Sequence, residues 1–187
     1  MRYNILTLSA LLAIFSTALS AQDAAKPRRE VGLQFNNIDF DGGTFSAFYK
    51  KQKKENVYRR VQFVAGALSL GILEEDFIFN FSAGIGIGRE KRKPLDAKLE
   101  CYQGPQFGLN FALYTTGDDD ATGFLVRPSF GWVLGLQHSF NDRWAVNIET
   151  IPSVSIAANT TGDDRTEGLF FGAGFSNSVS LGLVRKF

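Results

Sequence analysis

In the stretch DFIFNFSAGIGIGRE, residues 76–90, an apolar residue stands at every second position from Phe77 to Ile87. Phe77, Phe79, Phe81, Ala83, Ile85 and Ile87 form one row, and Asn80, Ser82, Gly84, Gly86 and Gly88 form the other. A period of two places successive side chains on opposite faces of an extended chain, so this stretch predicts a β-strand with one apolar and one small or polar face.

The same signature recurs along the chain, giving about eight alternating stretches. Val31, Leu33 and Phe35 oppose Gly32, Gln34 and Asn36, and a second stretch carries Phe45, Ala47 and Tyr49. A third, from about Val57 to Leu70, sets Val61, Phe63, Ala65 and Ala67 against Arg60, Gln62, Val64 and Gly66. A fifth sets Phe107, Leu109, Phe111 and Leu113 against Gln106, Gly108, Asn110 and Ala112, with Pro105 marking an expected bulge or irregularity. The sixth and seventh form a hairpin, GWVLGLQHSFNDRWAVNIE. Keeping its apolar residues on one face requires Phe140 opposite Trp144 around a three-residue turn, Asn141 to Arg143, with an aromatic pair beside that turn. The eighth runs from about Gly168 to Phe187. With 18 Phe and 19 Gly in 187 residues, composition favours strands over helices, and the chain is expected to be all-β.

Several stretches reach ten to fifteen residues, which suits tilted membrane strands better than the shorter strands of soluble domains. One face carries Phe, Trp, Leu, Ile and Val; the other carries Gly, Ser, Asn, Gln and a few charges. That contrast suits an eight-stranded antiparallel up-and-down transmembrane β-barrel, polar and filled inside and apolar outside, whereas a soluble lipocalin-like barrel reverses the faces; alternation alone does not say which face points outward, and charge placement in the connections helps decide it. Four connections are acidic: Asp39 and Asp41, Glu74 to Asp76, Asp118 to Asp120, and Asp163, Asp164 and Glu167. The alternate ones, KKQKKENVYRR, REKRKPLDAK and NDR, are basic, so eight strands sort the two sets to opposite ends. The basic end, with the short turn and both termini, is expected to be periplasmic, and the acidic loops extracellular.

At the N-terminus, Arg2, an apolar run from Ile5 to about Phe15 and the small residues of TALSA predict a secretory signal peptide over residues 1–21. A periplasmic lead, 22–29, and a barrel domain, 30–187, follow. Cleavage would remove one of the 20 basic residues, Arg2, and leave 19 basic against 19 acidic, so no charge bias points to nucleic acid. The lone Cys101 excludes an intrachain disulfide framework and any CxxC motif.

The signal peptide, the alternating strands, the LGLQHSFNDRWAVNIE hairpin and the terminal Phe187 together resemble the small outer-membrane β-barrels of the OmpA, OmpX and OmpW type. The resemblance implies insertion into the outer membrane of Gram-negative cells by the barrel-assembly machinery. That machinery reads a C-terminal aromatic on an alternating strand. The matching positions here are Phe187, Leu183, Leu181 and Val179, with Arg185 standing where an aromatic or apolar residue is usual.

Chemical motifs add little to this. AGIGIGREKRK fits neither GxGxxG nor the P-loop, since Arg89 stands in the third glycine's place and no Gly-Lys-Ser/Thr follows. His138 and Ser139 are adjacent on a strand and therefore point to opposite faces, which prevents either from activating the other. No catalytic, cofactor or metal residue is assigned, and the chain is expected not to be an enzyme. Cys101 is expected on the lipid side near the periplasmic end, and KKQKKEN to be a solvated turn. On the lumen face, Arg60, Glu90, Glu100, Arg127 and Glu149, with Gln62, Tyr102, Gln106, Gln137 and Asn147, are expected to form a plug of paired charges and hydrogen bonds. Expected partners are outer-membrane lipid, the assembly machinery and a surface ligand of unknown kind. Two functions follow: a structural or surface-loop binding and adhesion role, or a conduit for small hydrophobic solutes leaving through the wall near Pro105 or Pro128.

Overall fold

The computed structural model describes residues 28–36, 44–73, 76–116, 121–161, 168–176 and 179–187. They form ten β segments: β1 (Arg29–Asn36), β2 (Thr44–Lys54), β3 (Val57–Leu73), β4 (Asp76–Pro94), β5 (Leu99–Thr116), β6 (Ala121–Ser139), β7 (Trp144–Thr150), β8 (Ser153–Thr161), β9 (Gly168–Ser176) and β10 (Val179–Lys186). All pairings are antiparallel, and β1 to β6 pair in sequence order. β6 then pairs with both β7 and β8 in one register, Leu134 opposite Thr150 and Gly131 opposite Ser153. β10 and β9 flank these two in the same way, Val179 opposite Thr150 and Ser176 opposite Ser153. β7 with β8, and β10 with β9, are therefore two lengths of single wall strands. The wall has eight strands. It closes where β10 meets β1, with Leu33 opposite Leu183. Along β1 and β10, closure leaves no free edge of the kind that templates aggregation.

The hairpin register is the expected one. Phe140 N–H donates to the Trp144 carbonyl at 3.0 Å, and Leu136 lies opposite Ile148. The Asn141 side-chain oxygen accepts from the N–H groups of Arg143 and Trp144, both at 2.8 Å, which fixes the three-residue turn. The expected aromatic pair does not form: Phe140 meets the His138 ring edge-on at 5.7 Å, and the Arg185 guanidinium lies 5.5 Å from the Trp144 ring centre.

Two other expectations change, and the irregularity expected at Pro105 is present. Ala67 does not continue the row of Val61, Phe63 and Ala65. The β3–β4 register shifts after Ala65 and pairs Leu68, Leu70 and Ile72 with Phe81, Phe79 and Phe77. Gly66 and Ala67 together oppose Ser82, which is a β-bulge. Pro105 interrupts the β4–β5 ladder without changing its register, because it lacks the N–H a ladder bond needs. Finally, the wall is longer than the alternating stretches suggested, since β6 begins at Ala121 and β8 was not expected at all.

Residues 1–27 lie outside the described region, and with them the expected signal peptide and most of the lead. Arg29 already pairs with Lys51, so the barrel begins within the last residues of that lead. The acidic connections also fall largely outside the described residues, while the three basic turns lie within them.

Burial settles which face is inside. Arg60, Lys50, Glu90 and Glu149 are fully buried, whereas Phe107 is 66% and Phe175 92% exposed. A water-soluble domain buries its apolar side chains; this one does the reverse.

Candidate functional site

The lumen is filled in layers by the inward residues of each strand. Nearest the basic end, Arg92 on β4 joins Glu30 on β1 across the barrel through two bonds of 2.8 and 2.6 Å. The same guanidinium donates twice to one oxygen of Glu90, at 2.9 and 2.6 Å, and reaches Glu100 at 3.3 Å. Its flat face lies 3.9 Å from the centre of the Tyr58 ring, a cation–π contact that uses the side left free by the carboxylates. Gln137 adds a bond to Glu30 at 3.3 Å.

Above this, Arg60 on β3 holds Glu149 on β7 in a two-bond fork of 2.8 and 2.7 Å. This bidentate geometry gives Arg–carboxylate pairs their strength and direction. Lys50 places its ammonium 2.9 Å from Glu90 and 3.9 Å from Glu149, over the Tyr102 ring at 4.2 Å. The Tyr102 hydroxyl donates to Glu149 at 2.9 Å and accepts from Asn147 at 2.9 Å. Three buried cations, Lys50, Arg60 and Arg92, thus face three buried carboxylates, Glu30, Glu90 and Glu149. The balance matters, because an unpaired charge in such a site costs several kcal/mol, on the order of 3–5 when a partner is removed.

Small residues make room for this packing. A Cβ on Gly135 would collide with the Tyr102 ring, and one on Gly32 with the Phe48 ring. The glycines of the polar row thus receive the rings of neighbouring strands. A neutral layer closes the plug: Gln62 donates to Gln34 at 3.2 Å and to Ser46 at 3.0 Å, and Gln106 donates to Gln62 at 3.0 Å. Beyond it, towards the acidic end, lies a polar cup of about 390 Å³ floored by Gln62 and Gln106.

Of the expected network, Arg60, Glu90 and Glu149 come together, and Glu100 joins from the edge at 26% side-chain exposure. Arg127 does not. It is exposed, it lines the cup, and no described carboxylate pairs with it. Gln62, Tyr102, Gln106, Gln137 and Asn147 all participate. Glu30, Lys50 and Arg92 were missed because they sit where strands run into charge-rich connections. Parity was the available signal, since Glu30 shares a face with Gln34, Lys50 with Ser46, and Arg92 with Glu90.

Val179, Leu181 and Leu183 form an outward row on β10. Phe187 exchanges backbone bonds with Arg29, at 2.8 and 3.1 Å. His138 is exposed on the outer face, while Ser139 accepts from the Lys186 ammonium, so the two neighbours have separate surroundings. Cys101 is half-buried, its thiol 3.5 Å from the Lys93 carbonyl.

No protein-family model matches the chain, and no curated protein matches it in sequence. Solved structures do resemble it. The N-terminal β-barrel domain of Pseudomonas aeruginosa OprF superposes with a TM-score of 0.53 at 9% identity, over 87% of this chain and 98% of that one. Ail, the attachment invasion locus protein of Yersinia pestis, gives 0.51 at 10% identity, over 87% and 99%. A major outer membrane protein from Thermus thermophilus gives 0.50 at 11% identity, over 86% and 99%. These likenesses are of fold, and the fold is that of the eight-stranded outer-membrane barrels.

Proposed function

We infer that this chain, having the fold of the small outer-membrane barrels, is an integral outer-membrane protein without catalytic activity, acting structurally or by binding through its surface loops. The observation that carries this reading is the plug: six buried charges and a glutamine layer fill the barrel beneath an apolar outer wall. An eight-stranded lumen is just wide enough to be filled by side chains, and here they are tied together across it. The apolar wall supports lipid as its surroundings.

In this reading the basic turns face the periplasm and the acidic loops face outward. The barrel-assembly machinery is the insertion partner, reading Phe187 with Leu183, Leu181 and Val179. The conduit for hydrophobic solutes is the second reading. The cup above the plug is lined by more serine and amide side chains than apolar ones, Val64, Ile85 and Ile151 being the apolar members, and it ends on the glutamine layer, which favours the first.

The test combines location with conductance. The protein should fractionate with the outer membrane and migrate differently on gels before and after heating. In planar bilayers the purified barrel should show no steady conductance, and its deletion should leave uptake of apolar solutes unchanged. Steady conductance, or an uptake defect restored by the intact gene, would defeat the plugged-barrel reading.

A further inference from the structure

The cup between the glutamine layer and the acidic end has a composition of its own. Ser129, Ser153, Ser155 and Ser176 line it together with Asn110, and Arg127 is the one charged side chain among its lining residues. Glycines 86, 108 and 131 keep its wall open: a Cβ at Gly131 would come within 2.7 Å of Ile151. Its volume, about 390 Å³, falls within the roughly 300–1,000 Å³ typical of small-molecule sites.

Gln106, only 9% exposed, spends its side-chain N–H on Gln62 and leaves its buried Oε1 with no hydrogen-bond partner. Gln106 thus closes the cup floor from below, with its oxygen turned away from the open space. Arg127 contributes a planar set of donors suited to a carboxylate.

We propose that the cup is a binding site for a small hydroxylated monoanion of the sugar-acid class. Arg127 takes the carboxylate, and the Asn110, Ser129 and Ser155 side chains bond the hydroxyls. A neutral sugar would leave Arg127 unused, and a simple carboxylate would leave Asn110, Ser129 and Ser155 unused, while Ser153 and Ser176 bond each other at 2.8 Å. The inference depends on the cup's lining and not on which side of the membrane it opens to.

The barrel is folded into detergent micelles, its folding verified by the heat-dependent gel shift. It is then titrated with D-glucuronate, D-glucose and acetate at about 0.15 M salt, where loop charges are screened beyond about 8 Å. Calorimetry and amide chemical shifts provide the readout. D-glucuronate should bind saturably, shifting the amides of Asn110, Ser129 and Ser155, with D-glucose at least ten-fold weaker and acetate not saturating. Arg127→Gln should weaken D-glucuronate ten-fold or more, and Ser155→Trp should abolish its binding. Absence of saturable D-glucuronate binding, glucose binding of equal strength, or indifference to Arg127→Gln would each overturn the proposal. Should Ser155→Trp fail to fold, the wild-type amide shifts decide, and shifts confined to the plug or outer wall overturn it. Failure here leaves the outer-membrane reading intact, because fractionation and conductance are measured without ligand.

Discussion

Arg60 binds Glu149 through both terminal nitrogens and also lies 3.8 Å from Glu90, so its removal strands negative charge in a closed interior. Arg60→Met should therefore destabilise the barrel by about 3–5 kcal/mol, read from urea unfolding in lipid vesicles. Arg60→Met combined with Glu149→Leu should recover most of that loss, because the double variant leaves Lys50 and Glu90 paired at 2.9 Å. Equal losses in the single and double variants would show that the pair's geometry, and not its charge balance, is what matters. Arg60 and Glu149 were legible in sequence as charges of the correct parity on long alternating strands. Lys50 and Arg92 have the same parity, but each lies within a run of basic residues that reads equally well as a turn.

Along a single strand the wall makes a graded prediction. On β5 the outward row includes Leu109, near the strand's middle, and Gln103, three outward positions nearer the basic end. Arginine facing lipid costs about 2–4 kcal/mol at the bilayer midplane and about 0–1 near its surface. Leu109→Arg should thus fall in the upper range and Gln103→Arg in the lower, measured by unfolding from vesicles; equal costs would contradict an apolar band at that height. At this scale alternation revealed which residues share a face, and it gave the β6–β7 register correctly. It failed at prolines. Pro128 and Pro152 concealed the outer half of β6 and the whole of β8, although Val154, Ile156 and Ala158 carry the same period of two. The bulge in β3 was hidden differently, since Gly66 and Ala67 are small enough to read as part of either row.

For the molecule as a whole, the segregation of Phe and Gly to opposite faces was visible from the first alternating stretch, but which face points outward was not, because alternation is the same either way; burial decides it. The cup was not, since it draws on residues from β1, β3, β4, β5, β6, β8 and β9, whose convergence depends on closure. The wall is also divided lengthwise. β7 ends at Thr150 and β8 starts at Ser153, while beside them β9 ends at Ser176 and β10 starts at Val179. The plug's contacts to these strands go to Asn147, Glu149 and Ser180, all on the basic side of the division. Proteins open in cooperative units whose boundaries follow such weak seams. In hydrogen–deuterium exchange, β8 and β9 should lose their amide protons together and early, while β7 and β10 keep theirs; uniform protection across the seam would contradict this. The barrel would then have two clocks, a slow one at the end where charge is locked in and a faster one at the end that opens to solvent.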